Sequence, residues 1–205
     1  GRSVTLHNVQ ADFYGGKAAG TFEAQLLPDT VYGFQGRLEH VDLAQLARAV
    51  PSLSNRISGI ASATVHLSAH GIGRPNLIST MEGDGKLDAK NIEMRGLDVV
   101  SAIAGSVPGA LSSHFASARG NFSIKNGGID VTDFLLDSLR DRFEAEGRVD
   151  FSQTLNFQIT PIPSSRAPSR ANTPPVFFLR GTWQAPEFVS SSPAPKPVNR
   201  ARAGR

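Results

Sequence analysis

The chain has 205 residues, of which 40% are apolar and 7% aromatic, with 20 glycines, 13 prolines and no cysteine. That length can bury one sizeable core, and the lack of cysteine excludes disulfide staples, thiol catalysis and cysteine-ligated zinc. The formal net charge of +3 is modest, and no apolar run approaches the roughly 18 to 20 residues of a membrane-spanning helix.

In chain order, the first clear element is "KAAGTFEAQLL". It places Ala18, Gly20, Phe22, Ala24 and Leu26 on one side and Ala19, Thr21, Glu23 and Gln25 on the other, the two-residue period of a half-buried strand. "YGFQGRLEHV" repeats it with Tyr32, Phe34, Gly36 and Leu38. The period then changes in "VDLAQLARAV", where Leu43, Leu46, Ala47 and Val50 recur every three or four residues behind Asp42. This predicts a short helix with Asp42 as N-cap and Pro51 as its stop. "GIASATVHLSAHG" returns to alternation, with Ala61, Ala63, Val65, Leu67 and Ala69 opposite Ser62, Thr64, His66, Ser68 and His70.

A second helix is predicted from Leu97, Val100, Ile103 and Ala104, interrupted near Gly105 and Pro108. Two hairpins follow. "NFSIKNGGIDVTDFLL" carries Asn126-Gly127, the pair that supplies positive φ in a tight turn. In "RFEAEGRVDFSQTLNFQI", Phe143, Ala145, Gly147, Val149 and Phe151 lead into a polar turn from which Leu155, Phe157 and Ile159 return.

The fold class expected is mainly β with some helix (α+β): a curved antiparallel sheet or open β-groove, built from meandering neighbours, with two or more short covering helices. The stretches "GRLEHVDLAQL" and "IEMRGLDVVSAI" both lead from a strand into an apolar residue plus aspartate. They mark two diverged strand-helix-strand units, about 31–70 and 83–128.

Much of the basic excess sits in two segments rich in Ser, Pro and Ala, one with Arg166 and Arg170, the other with Lys196, Arg200, Arg202 and Arg205. They read as a loop and, over 189–205, a disordered basic tail, both expected to be mobile. No aromatics interleave these arginines, which disfavours nucleic acid as a partner. The opening Gly1-Arg2-Ser3 is not a natural start, so a targeting or anchoring segment is expected upstream.

Candidate catalytic and metal-binding residues are sparse. His66 and His70 share a strand face, but four residues of strand separate them by roughly 13 Å, too far to bind one metal. His7, His40 and His114 are isolated in sequence. Asp130, Asp133, Asp137 and Asp141 lack the glycine-centred loop of an EF-hand and read as solvated carboxylates. "GDG" at 83–85 lacks the lysine and helix of a phosphate loop, and "AGSVPG" lacks the spacing of a nucleophile elbow. No catalytic constellation, cofactor or metal is expected, and a hydrolase would need residues that meet only in three dimensions.

"NVQADFYGGKAAGTFEAQL" is similar to the strand pair of AsmA-like proteins, in which an apolar-aromatic strand runs through a double glycine into a strand of small residues. "GDGKLDAKNIEMRGLDVV" resembles the family's next element, a Gly-x-Gly strand whose return delivers the chain into a helix. "RGNFSIKNGGIDVTDFLLDS" and "FEAEGRVDFSQTLNFQIT" resemble the closing hairpins of the AsmA C-terminal region, and "VFFLRGTWQAPEF" its last strand. The resemblance spans residues 1–188. It implies a non-enzymatic, taco-like β-groove related to TamB and the bridge-like lipid transfer proteins. Such a domain would be periplasmic, anchored in the inner membrane by a segment outside this chain, and active in lipid transport and outer-membrane biogenesis. Phospholipid or another acyl lipid, and envelope assembly proteins, are the partners implied. The floor would come from the same-face residues Phe22, Leu26, Phe34, Leu38, Val65, Leu67, Val149, Phe151, Leu155 and Phe157, partly covered by Leu43, Leu46, Leu97, Val100 and Ile103. The alternative is a β-rich structural or interaction module of the same ancestry, with its apolar face closed and no lipid bound.

Overall fold

The computed structural model describes residues 2–26, 29–49, 53–97, 112–162 and 176–191. The first half contains β1 (Ser3–Phe13), β2 (Gly16–Gln25), β3 (Val31–Asp42), α1 (Leu43–Arg48), β4 (Ile57–His70), α2 (Arg74–Ser79) and β5 (Glu82–Arg95). The second contains β6 (Ser112–Lys125), β7 (Gly128–Asp137), β8 (Arg142–Asp150), β9 (Thr154–Ile162), β10 (Val176–Thr182) and β11 (Pro186–Ser191). The eleven strands form one open sheet whose spatial order is the chain order. All neighbours pair antiparallel. The protein is therefore mainly β and antiparallel, as the two-residue periodicity predicts.

The register lines up equivalent residues from strand to strand. One row, from β1 to β11, reads Val9, Gly20, Gly36, Val65, Gly85, Phe122, Val131, Gly147, Phe157, Leu179 and Phe188. A parallel row reads Leu6, Phe22, Phe34, Leu67, Gly83, Ile124, Ile129, Val149, Leu155, Gly181 and Pro186. Neither contains a polar side chain. One residue along, from β2 to β11, the row is Thr21, Gln35, His66, Asp84, Ser123, Asp130, Arg148, Asn156, Arg180 and Glu187, all polar. A one-residue slip anywhere would exchange the two faces, so the pattern itself fixes the pairing.

Strict alternation fails once in each of β1, β3, β5 and β7, and each failure coincides with a residue at positive φ: Asn8, His40, Asn91 and Asp133. Asn, Asp and His tolerate this region better than other side chains. Each irregularity brings residues three apart onto the same face, and in β5 it puts both Ala89 and Ile92 in the interior. The turn at Asn126 and Gly127 has φ of 49° and 67°, as the Asn-Gly pair predicts.

The closed core lies between β4 and β10. Phe115, Leu136, Phe143, Ile159 and Phe177 are buried there, and the Phe115 and Phe143 rings meet edge to face with centroids 6.4 Å apart. Asp42 caps α1 by accepting hydrogen bonds from the Ala44 and Gln45 amides, and Ala47 faces inward, buried. The helix runs where the three- and four-residue spacing places it. By contrast α2, equally short, is not anticipated by periodicity, because its apolar residues Leu77 and Ile78 are adjacent and give no three- or four-residue spacing. Gly73 at φ 86° and the following proline start it.

Leu97 is buried in the core, whereas Val100, Ile103 and Ala104, the rest of the second predicted helix, lie outside the described residues. So do the Arg166 to Thr173 loop and the tail from residue 192. The boundary expected at residue 188 falls inside β11, and "GTWQAPEF" is not the end of the last strand. It is the turn into one more, closed by reciprocal amide-carbonyl bonds between Thr182 and Ala185. A lone proline beside a glycine-threonine step reads as a stop, but Pro186 stands at the first position of an edge strand, where no ladder hydrogen bond is lost.

On the polar face, the Arg142 guanidinium hydrogen-bonds the Asp137 carboxylate, which also accepts from the Ser117 hydroxyl. The Arg142 bond is the main cause that holds the Asp137 carboxyl below its ordinary range. A lowered folded value means stability that is present above the unfolded value and lost as pH falls through the folded one. Asp137→Asn is therefore expected to lower the thermal midpoint near pH 7 by no more than about 4 °C. It should also flatten the acid limb from the ordinary carboxylate range downward. Thermal melts of both proteins across pH check this, and parallel acid limbs would contradict it.

Candidate functional site

The sheet brings eight of the ten sequence-predicted floor residues onto one face. Phe22, Phe34, Leu67, Val149 and Leu155 share one row, and Val65 and Phe157 the next. Leu38 stands beside Ala18 and Ala63. Leu26 lies just past β2 and Phe151 in the β8–β9 turn, and both are exposed. Val65 and Leu155 are only 4% and 2% exposed and belong to closed core. Phe22, Phe34, Leu38, Leu67, Val149 and Phe157 are half-buried.

Glycines allow close packing on this face. A Cβ at Gly85 would lie 2.6 Å from the Phe122 ring, and one at Gly147 would lie 2.9 Å from the Phe157 ring. The missing side chains leave room for a ring from the next strand to pack against the backbone.

At one end of the face, over β7 and β8, is an apolar cavity of about 470 Å³, within the range of about 300–1,000 Å³ that holds small ligands. Ile129 and Val149 form its base, with Met81, Phe151, Ile78, Leu53, Ala49 and Trp183 around it. The wall is tied together across the sheet, because Arg56 Nη1, in the segment between α1 and β4, donates to the Trp183 carbonyl oxygen at 2.6 Å. The aromatic in "GTWQAPEF" is therefore a cavity wall held in place by a turn.

Of the predicted residues, Val149 and Phe151 reach this cavity. Ile129 was legible through the Asn-Gly turn, which sets Ile124 opposite Ile129. Met81, Ile78, Leu53 and Trp183 come from connections, where periodicity carries no signal.

Three polar side chains reach the rim: Arg74, Asp150 and Gln153. Asp150 accepts from Arg148 Nε at 2.6 Å, and Arg148 also donates to Asp130 at 3.1 Å and to the carbonyl oxygens of Lys125 and Asn126. The hydrogen bond to Asp150, then that to Asp130, raises the Arg148 guanidinium above its ordinary value. Arg74, exposed on α2, has no carboxylate partner among the described residues.

A wider hollow of about 750 Å³ opens on the polar side, lined by Thr21, Glu23, Gln35, His66, Ser68, Asp84 and Lys125 among others. His66 Nδ1 lies 3.3 Å from Asp84 Oδ2, with both side chains well exposed. Among the described residues no three His, Cys, Asp or Glu side chains are grouped to hold a metal ion. Asp130 and Asp137 are engaged by Arg148 and Arg142. "GDG" lies inside β5 as ordinary strand. No described helix is long and apolar enough to cross a membrane. Compared with known proteins, the chain matches no family model, no curated protein and no solved structure.

Proposed function

We propose that this chain is a non-enzymatic, AsmA-like β-groove domain that carries or shields acyl lipid. The observation that supports it is the register: two adjacent rows cross all eleven strands without a polar side chain, and several of their residues remain half-exposed. A continuous apolar face of this length has a use when something apolar lies along it. In this reading the glycines let the sheet bend into a groove, α1 and Leu53 partly cover it, and the 470 Å³ cavity is one end of the path. The domain then belongs in the periplasm, held at the inner membrane by a segment outside this chain, and serves lipid transport and outer-membrane biogenesis with envelope assembly proteins.

The second reading is a closed structural module, favoured by the burial of Val65, Phe115, Phe143 and Leu155. Native mass spectrometry of the purified protein, followed by analysis of extracted lipid, tests between them. Co-purified phospholipid in near-stoichiometric amount is expected, and protein that is free of lipid, and stays so after incubation with phospholipid vesicles, would favour the module.

A further inference from the structure

We infer that the end cavity is selective for an acyl amphiphile with an anionic head, phosphate or carboxylate, and that Arg74 is the residue that reads the charge. This rests on the lipid reading above and adds a ligand class to it. The described residues that line the cavity are nearly all apolar, and among them Arg74 is the one cation. That cation is uncommitted: Arg74 has no ion pair and no side-chain hydrogen bond among the described residues. The one acid at the rim, Asp150, is already held by Arg148 at 2.6 Å, so Arg74 is not silenced by it. An apolar chamber with one free guanidinium at its mouth is complementary to a hydrocarbon chain that ends in a negative charge. The guanidinium fork matches the paired oxygens of phosphate or carboxylate.

Trp183, the only tryptophan in the chain, lines the same cavity, so its fluorescence reports occupancy directly. The probes are lysophosphatidylglycerol, palmitate and uncharged monopalmitoylglycerol, each titrated below its micelle concentration, with inorganic phosphate alone as a fourth. Both charged amphiphiles are expected to bind about tenfold or more tighter than the uncharged one. Arg74→Gln should reduce that preference to near unity, with the larger loss of affinity on the two charged amphiphiles. Arg74→Lys should keep part of the preference, and circular dichroism verifies that each variant is folded.

Equal binding of charged and uncharged amphiphiles, or a preference that survives Arg74→Gln, overturns the inference while the lipid reading stands. Inorganic phosphate binding as tightly as the amphiphiles overturns it too, since the site would then be a simple anion hole. If no amphiphile binds at all, the lipid reading falls together with it.

Discussion

Gly85→Val is expected to prevent the domain from folding. Gly85 lies on the apolar face between Val65 of β4 and Phe122 of β6. A Cβ there would sit well inside contact distance of the Thr64 carbonyl oxygen, and 2.6 and 2.8 Å from two atoms of the Phe122 ring. The ring could turn away at the cost of its own packing. The carbonyl cannot, because it belongs to the backbone of a central strand that is paired on both sides. Relief therefore requires breaking the β4–β5 ladder at the middle of the sheet. The expected destabilisation exceeds about 4 kcal/mol, in the range reached only when a substitution overpacks a site that cannot relax. Gly85→Ala already carries the offending atom and should show most of the effect. The measurements are soluble yield and the thermal midpoint, and an alanine variant that melts within a few degrees of the parent would show that glycine is not sterically required here. Gly127→Ala is a useful contrast, since nothing lies within 4 Å of its missing Cβ and only its φ of 67° opposes the change.

Glycines such as these explain why so much of the sheet was legible and why its details were not. Alternation of one-letter codes gives which residues share a face, because the side-chain period of a strand is two and needs no tertiary information. It gave Phe22, Phe34, Leu67, Val149 and Phe157 as one surface, and the Asn-Gly turn supplied the register of β6 with β7. Alternation cannot give the bulges. Strict alternation would put Asn91 on the apolar side with Leu87 and Ala89 and Ile92 on the polar one, and only the structure shows that Asn91 is the extra residue which returns Ile92 to the interior. The same blindness hid α2, whose Leu77 and Ile78 are adjacent and show no helical spacing, and the strand after Pro186. The cavity was the least legible part. Its walls come from a helix end, two turns and the residue before a strand, and what assembles them is the tie between Arg56 and Trp183, 127 residues apart. Val65 and Leu155 show the converse limit: periodicity ranks them with Leu67 and Phe157, and only depth within the sheet separates closed core from half-exposed face.

That separation supports the sharpest functional prediction. Leu155 is 2% exposed within the core cluster, and Leu67 is half-buried two positions from the closed residue Val65. Glutamate at position 155 would place a charge where no water or partner reaches it, so Leu155→Glu is expected to cost more than about 4 kcal/mol and to yield no folded protein. Glutamate at position 67 can turn its carboxylate towards the open side of the face. Leu67→Glu should lower the thermal midpoint by about 5 °C or less, corresponding to roughly 1–2 kcal/mol for a chain of this size. If acyl chains lie along the row that runs from Phe22 through Phe34 and Leu67, the same carboxylate interrupts the path. The folded variant should then come away from purification with bound lipid reduced by about tenfold or more, because hydrocarbon cannot pay to desolvate an ion. A Leu67→Gln variant, polar but uncharged, should sit between the two. Thermal melts and lipid analysis on the same samples decide the matter: Leu67→Glu that collapses as Leu155→Glu does would mean that the face is closed throughout and the domain is a structural module. Leu67→Glu that folds and keeps its full lipid load would mean that lipid sits elsewhere than on this row.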